Sequence, residues 1–165
     1  MIKVESLKEY KKILSKEDFE VLANKIFMIT KYLVLEYSGY KRWYFEKQLK
    51  NIGSIEREIL FVRNKEKLDE IIAVACLKKT TLEKKICTLY VVENFRSMGI
   101  GSALISESFK FLGTTTPLIT FADYKLKFFE PFIKKYNWKL VQVIDKGYNN
   151  NFKELCFNGK LENHI

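Results

Sequence analysis

The sequence predicts an α/β fold of the α+β type: a mixed, mostly antiparallel sheet with one central parallel pair of strands. Three observations carry that reading. The apolar period is helical up to about residue 52 and changes to two after Gly53-Ser54. Three strand-length runs then follow one another across short polar turns. Finally, the helix-patterned segment Gly99 to Leu112 separates the third of these runs from another short apolar one, as a crossover between parallel strands requires. With 165 residues, 47% of them hydrophobic, the chain is expected to form one domain over 1–165, with a helical region at 1–54 and a sheet core at 55–157.

Taken in order, Lys3-Val4-Glu5 suits a short strand and Leu7 to Leu14 a turn of helix. From Lys16 to Tyr37, residues Phe19, Leu22, Ala23, Ile26, the weakly apolar Thr30, Leu33, Val34 and Tyr37 recur at three and four, behind Ser15 as N-cap, and predict one long helix. Ser38-Gly39 ends it, and Tyr40 to Leu49 reads as a second, shorter helix carrying Trp43, Tyr44 and Phe45.

Ile55 to Arg63 alternates as a strand, Asn64 to Lys67 is a hairpin turn, and Ile71 to Lys78 and Lys85 to Val92 complete a three-stranded meander. Leu104, Ile105, Ser108, Phe109 and Leu112 keep helical spacing, and Gly113 stops that helix. Pro117 to Phe121 is a buried strand and Leu126 to Tyr136 a helix. Trp138 to Ile144 and Phe152 to Phe157 are two more strands around Asn149-Asn150-Asn151. The expected order is αα-βββ-α-β-α-ββ, with Lys85–Val92 and Pro117–Phe121 as the parallel pair.

Composition excludes several classes of protein. Met1 to Tyr10 lacks the apolar run of a secretory signal, and Ile26 to Tyr37 is too short and too interrupted to span a bilayer, so a cytoplasmic protein without a membrane partner is expected. Cys76, Cys87 and Cys156 are odd in number and embedded in apolar runs, which suits buried thiols and indicates no metal site. The single histidine, His164, stands next to the last residue, and chemistry built on a histidine base is not expected. A net charge of +9 is spread along the chain rather than gathered into a basic block, so nucleic acid is not the favoured partner.

One motif carries chemistry. Arg96-Ser97-Met98-Gly99-Ile100-Gly101 lies between a predicted strand and a predicted helix. Glycines there let backbone N–H groups approach a pyrophosphate, the helix dipole favours its charge, and Arg96 adds a cation. A dinucleotide fingerprint needs a small residue where Leu104 stands, and a P-loop needs Gly-Lys-Ser/Thr where Gly101 is followed by Ser102-Ala103. Both are excluded.

The stretch Leu89 to Gly101 resembles the acetyl-CoA signature of the GNAT superfamily of N-acetyltransferases, matching its arginine and both glycines. The predicted order of elements is similar to that family's core. Phe128-Phe129-Glu130 and Tyr136-Asn137-Trp138 resemble its second signature, and the likeness runs from about Ile55 to Phe157. Departures are Glu93 where a proline is common, Ser97 after the arginine, and Phe129 where the family often has an acid tyrosine.

The resemblance implies acetyl-CoA as cosubstrate, no metal, and direct attack by a primary amine of a small molecule or protein. It implies that Val91 and Val92 bond the pantetheine arm, that Arg96, Ser97, Met98, Gly99, Ile100, Gly101 and Ser102 hold the pyrophosphate, and that Asp123 and Phe128 stand beside the cofactor. Asp123 as an Asx cap and Phe128 as core are the competing readings. With Phe129 unable to donate a proton, Tyr124 is the candidate acid. Glu56 and Glu58 are candidate bases or merely solubilising, and Cys87 is an acyl carrier or a buried thiol. Tyr40, Trp43, Tyr44 and Phe45 line the acceptor pocket or pack the core. The competing functions are a non-catalytic acyl-CoA- or RNA-binding protein of the same fold and an acetyltransferase toxin acting on charged tRNA. Monomer and homodimer both remain open.

Overall fold

The computed structural model describes residues 1–145 and 151–161. A short strand, β1 (Glu5–Ser6), leads into helix α1 (Leu7–Ile13). Ser6 caps that helix by accepting from the Glu9 N–H at 3.2 Å, and its hydroxyl donates to Glu58 at 2.7 Å. The Glu58 carboxylate also accepts the Lys8 and Ile59 N–H groups, which makes it an anchor for α1 rather than a base facing a substrate.

Helix α2 (Lys16–Thr30) starts at Ser15 as expected, with the Ser15 hydroxyl accepting from the Asp18 N–H at 3.1 Å. It does not run to Tyr37. The Thr30 hydroxyl donates back to the Phe27 carbonyl at 3.0 Å and accepts from the Tyr40 hydroxyl at 3.0 Å. Helicity resumes only in α3 (Leu33–Glu36). Apolar spacing continues through the break, so periodicity reads two helices as one. Helix α4 (Tyr40–Trp43) passes into a π-turn at Tyr44–Gln48 and a 3-10 turn at Leu49–Asn51. There the buried Gln48 amide donates to the carbonyls of Glu58 at 2.8 Å and Leu77 at 3.1 Å, and its oxygen accepts from Arg57 at 2.8 Å.

The meander follows as β2 (Arg57–Asn64), β3 (Lys67–Lys79) and β4 (Lys84–Val91). Helix α5 (Ile100–Leu112) leads to β5 (Leu118–Ala122), and a 3-10 turn at Asp123–Lys125 to α6 (Leu126–Tyr136). Strands β6 (Leu140–Ile144) and β7 (Glu154–Phe157) complete the seven-stranded sheet, ordered β1-β2-β3-β4-β5-β7-β6. Its one parallel pair is β4–β5, as the sequence predicts. Of the turn at Asn149-Asn150-Asn151, only Asn151 falls within the described residues, and His164 lies outside them.

Apolar layers cover both faces of the sheet. Leu104, Ile105 and Leu112 of α5 and Phe129 and Phe132 of α6 pack on one face with Phe121, Leu155 and Phe157. Leu22, Ile26, Tyr40 and Tyr44 pack on the other with Ile59, Phe61, Val74 and Cys76. The helical N-terminal region and the glycine-bearing helix α5 are thus held on opposite sides of the sheet.

Candidate functional site

Cys87 creates the site's geometry. In the β3–β4 register Cys76 faces Thr88 and Leu77 faces Ile86, so Cys87 is an extra residue that bulges β4. On its other side β4 keeps register with β5 only at Lys85–Leu118 and Ile86–Ile119, and beyond those pairs the strands part. The Val92 N–H donates to the Ile72 carbonyl at 2.9 Å, and the Val92 carbonyl accepts from the Phe95 N–H at 2.9 Å. The Val92 N–H is thus engaged by β3 and its carbonyl accepts one bond, at the position where the resemblance implies a partner for the pantetheine arm. Because strand backbones alternate, Leu89 and Val91 turn their N–H and C=O groups to the β5 side instead.

Arg96 is fixed at the edge of this gap. Its Nε donates to the Val91 carbonyl at 2.9 Å, and its guanidinium carbon lies 5.6 Å from the ring centres of both Tyr90 and Phe128. Ser97 and Gly99 adopt left-handed backbone, with φ of 63° and 83°. They turn the chain so that the first-turn N–H groups of Ile100, Gly101 and Ser102, for which an α-helix has no internal acceptor, open toward the loop. The Met98 side chain is exposed and that of Ile100 buried, so both belong to the loop through their backbone. Gly101 has a packing reason as well: a Cβ there would lie 3.1 Å from the Phe132 ring.

Two adjoining cavities of about 400 and 430 Å³ follow the splayed strands. They share Tyr32, Leu89, Tyr90, Lys125 and Phe129. One opens toward Arg96 and Phe128, and the other lies under Tyr37, Tyr40 and Trp43. Residues 31–38 form a strap over the middle. Tyr32 packs on Tyr90 with ring centres 5.1 Å apart, and Glu36 accepts from the Tyr124 hydroxyl and from Lys125 Nζ, the latter at 2.8 Å. Burial pushes the Tyr32 hydroxyl well above the ordinary tyrosine range, with the neighbouring Tyr90 and Glu36 adding to the effect.

Tyr124 and Phe128 line the cleft at its Arg96 end, with Tyr124 largely exposed. Asp123 is exposed and is not among the residues lining either cavity. Its N–H donates to the Lys153 carbonyl at 2.9 Å, and its own carbonyl receives the Leu126 N–H. Phe129 is buried, stacked on Phe121 at 4.0 Å. The Tyr40 to Phe45 cluster divides: Tyr40 and Trp43 line the cavity, while Tyr44 is core, donating to the Ala23 carbonyl at 2.8 Å, and Phe45 packs on Phe27. Cys87 lines the cavity, and burial raises its thiol pKa, opposed by Lys85, Arg57 and Lys78.

Sequence reasoning missed Glu154. It is wholly buried on β7, accepts from the Tyr37 hydroxyl at 3.2 Å, and has its carboxyl pushed up to about 7. The cause is burial, opposed by that hydrogen bond and by Lys125 and Lys85. A charged residue inside the apolar strand Phe152 to Phe157 was the available signal. Its partner Tyr37 is 117 positions away.

A bulged strand parting from its parallel neighbour, beside a helix that opens on a glycine turn, defines the class: an acetyltransferase-type α/β fold. Residues 26–115, more than half of the chain, match the Acetyltransferase (GNAT) family, and the chain belongs to that family. A GNAT-family protein from Desulfovibrio desulfuricans superposes with a TM-score of 0.60 at 12% identity, over 95% of this chain and 97% of that one. A Bacillus anthracis protein in complex with acetyl coenzyme A gives 0.55 at 16% identity, over 67% of each chain. Nourseothricin acetyltransferase gives 0.55 at 10% identity over 62% of this chain, which spans 64% of that one. No protein of curated function matches in sequence.

Proposed function

We propose that this chain transfers an acetyl group from acetyl-CoA to a primary amine by direct attack. The observation that carries the proposal is a pair of adjoining cavities along the splayed β4 edge, one lined by Arg96 and Phe128 and the other by Tyr37, Tyr40 and Trp43. Bound acetyl-CoA supplies an activated thioester. On this reading Arg96 and the N–H groups of Ser97, Met98, Gly99, Ile100, Gly101 and Ser102 hold the pyrophosphate. Leu89 and Val91 offer backbone partners to the pantetheine arm, with Phe128 beside it, and Lys85 to Tyr90 form the wall past which the amine approaches. The likeness to a protein solved with acetyl coenzyme A supports the assignment.

Tyr124 is the proposed proton donor to the departing thiolate, since it lines the cleft at the end of β5. Its hydroxyl would exchange the Glu36 carboxylate for the sulfur. The burial that raises the Cys87 thiol argues against an acyl-enzyme there. The acceptor, a small-molecule or protein amine, meets Tyr37, Tyr40 and Trp43.

Calorimetry and thiol release test the proposal together. One-to-one binding of acetyl-CoA, lost in Gly99→Val, together with amine-dependent release of free coenzyme A is the expected result. Binding with no turnover across a panel of amines would replace the transferase reading with a non-catalytic acyl-CoA-binding one.

A further inference from the structure

Among the described residues three buried carboxylates sit in or beside the sheet, and two have structural occupations. Glu5 is paired with Arg63 at 3.1 Å and takes the Tyr10 hydroxyl, while Glu58 takes Ser6 and two backbone N–H groups. Glu154 is different. It lies opposite Ala122 at the end of β5, and the hydroxyl it receives belongs to Tyr37, a residue of the cavity wall. Phe152 braces the Tyr37 ring edge-on at 5.9 Å. The same cavity is lined by Tyr40, Trp43, Phe121 and Phe129 and by the two cations Lys85 and Lys125. A cationic amine entering there meets an oxygen backed by a buried acid.

Resting on the transferase reading above, we propose that Tyr37 receives a proton from the acceptor's ammonium group and passes its own to Glu154. In this relay Tyr37 meets the substrate and Glu154 is the positioning residue behind it. The ammonium N–H bond breaks and an O–H bond forms on Tyr37, while the former Tyr37 O–H proton bonds to a Glu154 oxygen. One proton moves in sum, leaving a neutral amine with its lone pair free and a neutral carboxyl. The surroundings suit that exchange. Burial raises the carboxyl to about 7, with Glu36 acting in the same direction and the Tyr37 hydrogen bond, Lys125 and Lys85 opposing. Cys156 on the same strand is in turn pushed up by its own burial and by Glu154. A base near neutrality is half-ionised at working pH, which is where proton transfer is most efficient.

Two readouts test the relay. Carbon-13 labelling of glutamate carboxyls, followed by NMR titration, should show one glutamate with a midpoint of about 7 that is missing in Glu154→Gln and moves upward in Tyr37→Phe. The absence of any such glutamate, or a midpoint unmoved in Tyr37→Phe, overturns the proposal without reference to activity. Kinetics with acetyl-CoA and 2-phenylethylamine, spermidine and a peptide with a free N-terminus should show kcat/KM rising with pH through the same midpoint. Glu154→Gln should lower kcat/KM by about 10²–10⁴-fold and abolish that limb, with acetyl-CoA affinity unchanged. A Glu154→Gln enzyme that keeps the acid limb overturns the relay and leaves the transferase reading intact. Binding of acetyl-CoA by the wild type with no transfer to any of these amines overturns both.

Discussion

Glu154 is buried, and that burial raises its carboxyl to about 7. Its ordinary value is 4.5, so the folded protein binds this proton more tightly than the unfolded chain. The associated stability is present in full at low pH and is lost as pH rises through about 7. The shift corresponds to about 3 kcal/mol. Urea denaturation should show the wild type losing up to that amount as pH rises from 4.5 to about 7, relative to Glu154→Gln, which carries no charge to bury. The Tyr124 hydroxyl poses a separate question, because its proton is directed at Glu36. Tyr124→Phe should lower kcat at least about tenfold with little change in acetyl-CoA affinity, as measured by steady-state kinetics and calorimetry. Wild-type kcat in that variant would assign the proton to water. At this scale the turn from Arg96 to Gly101 ahead of α5 was legible, because its glycines and its position in the chain coincide in six consecutive residues. Glu154 was not, because a carboxylate acquires its character from what surrounds it in space.

Elements were legible wherever local pattern and burial agree. Ser15, Gly99 and Gly113 bound their helices as capping chemistry predicts, and the two helix-bounding glycines both have positive φ. The break after Thr30 was hidden, since it depends on a hydroxyl shared between Phe27 and Tyr40. The π-turn carrying Gln48 was hidden for a similar reason: its amide satisfies carbonyls on two different strands. Helix α5 yields a prediction that separates packing from ligand binding. Gly101→Ala places a Cβ 3.1 Å from the buried Phe132 ring, and that strain, set against the roughly 1 kcal/mol that Ala gains over Gly in a helix, should leave a net destabilisation of up to about 2 kcal/mol in thermal or urea unfolding. Adding Phe132→Leu should recover part of that stability, while any loss of acetyl-CoA affinity due to blocked backbone approach persists.

Two half-sheets meet along β4–β5 through only two register pairs, Lys85–Leu118 and Ile86–Ile119. The seam that weakens the sheet also makes the cleft, and the strap of residues 31–38 crosses it with the Tyr32–Tyr90 stack and the Glu36–Lys125 ion pair. A ligand seated in the seam joins the halves. Acetyl-CoA at a hundredfold excess over its Kd should stabilise the protein by about 2.7 kcal/mol, read as a shift in the denaturation midpoint. Gly99→Val, whose backbone φ of 83° a branched side chain tolerates poorly, should lose that shift.

The sequence by itself determined the fold class, the family resemblance and the glycine turn ahead of α5, because each rests on neighbours a few positions apart. Periodicity, capping residues and glycines act locally, and a crossover helix between two apolar runs leaves few topologies open. Only the tertiary structure decided which backbone groups face the gap, since that depends on the β3 register that engages Val92 and turns Leu89 and Val91 outward. It also decided the chemistry of the cavity beside Tyr37. Burial and long-range hydrogen bonding set the proton affinity of Glu154, and both come from residues that approach it only once the sheet has closed.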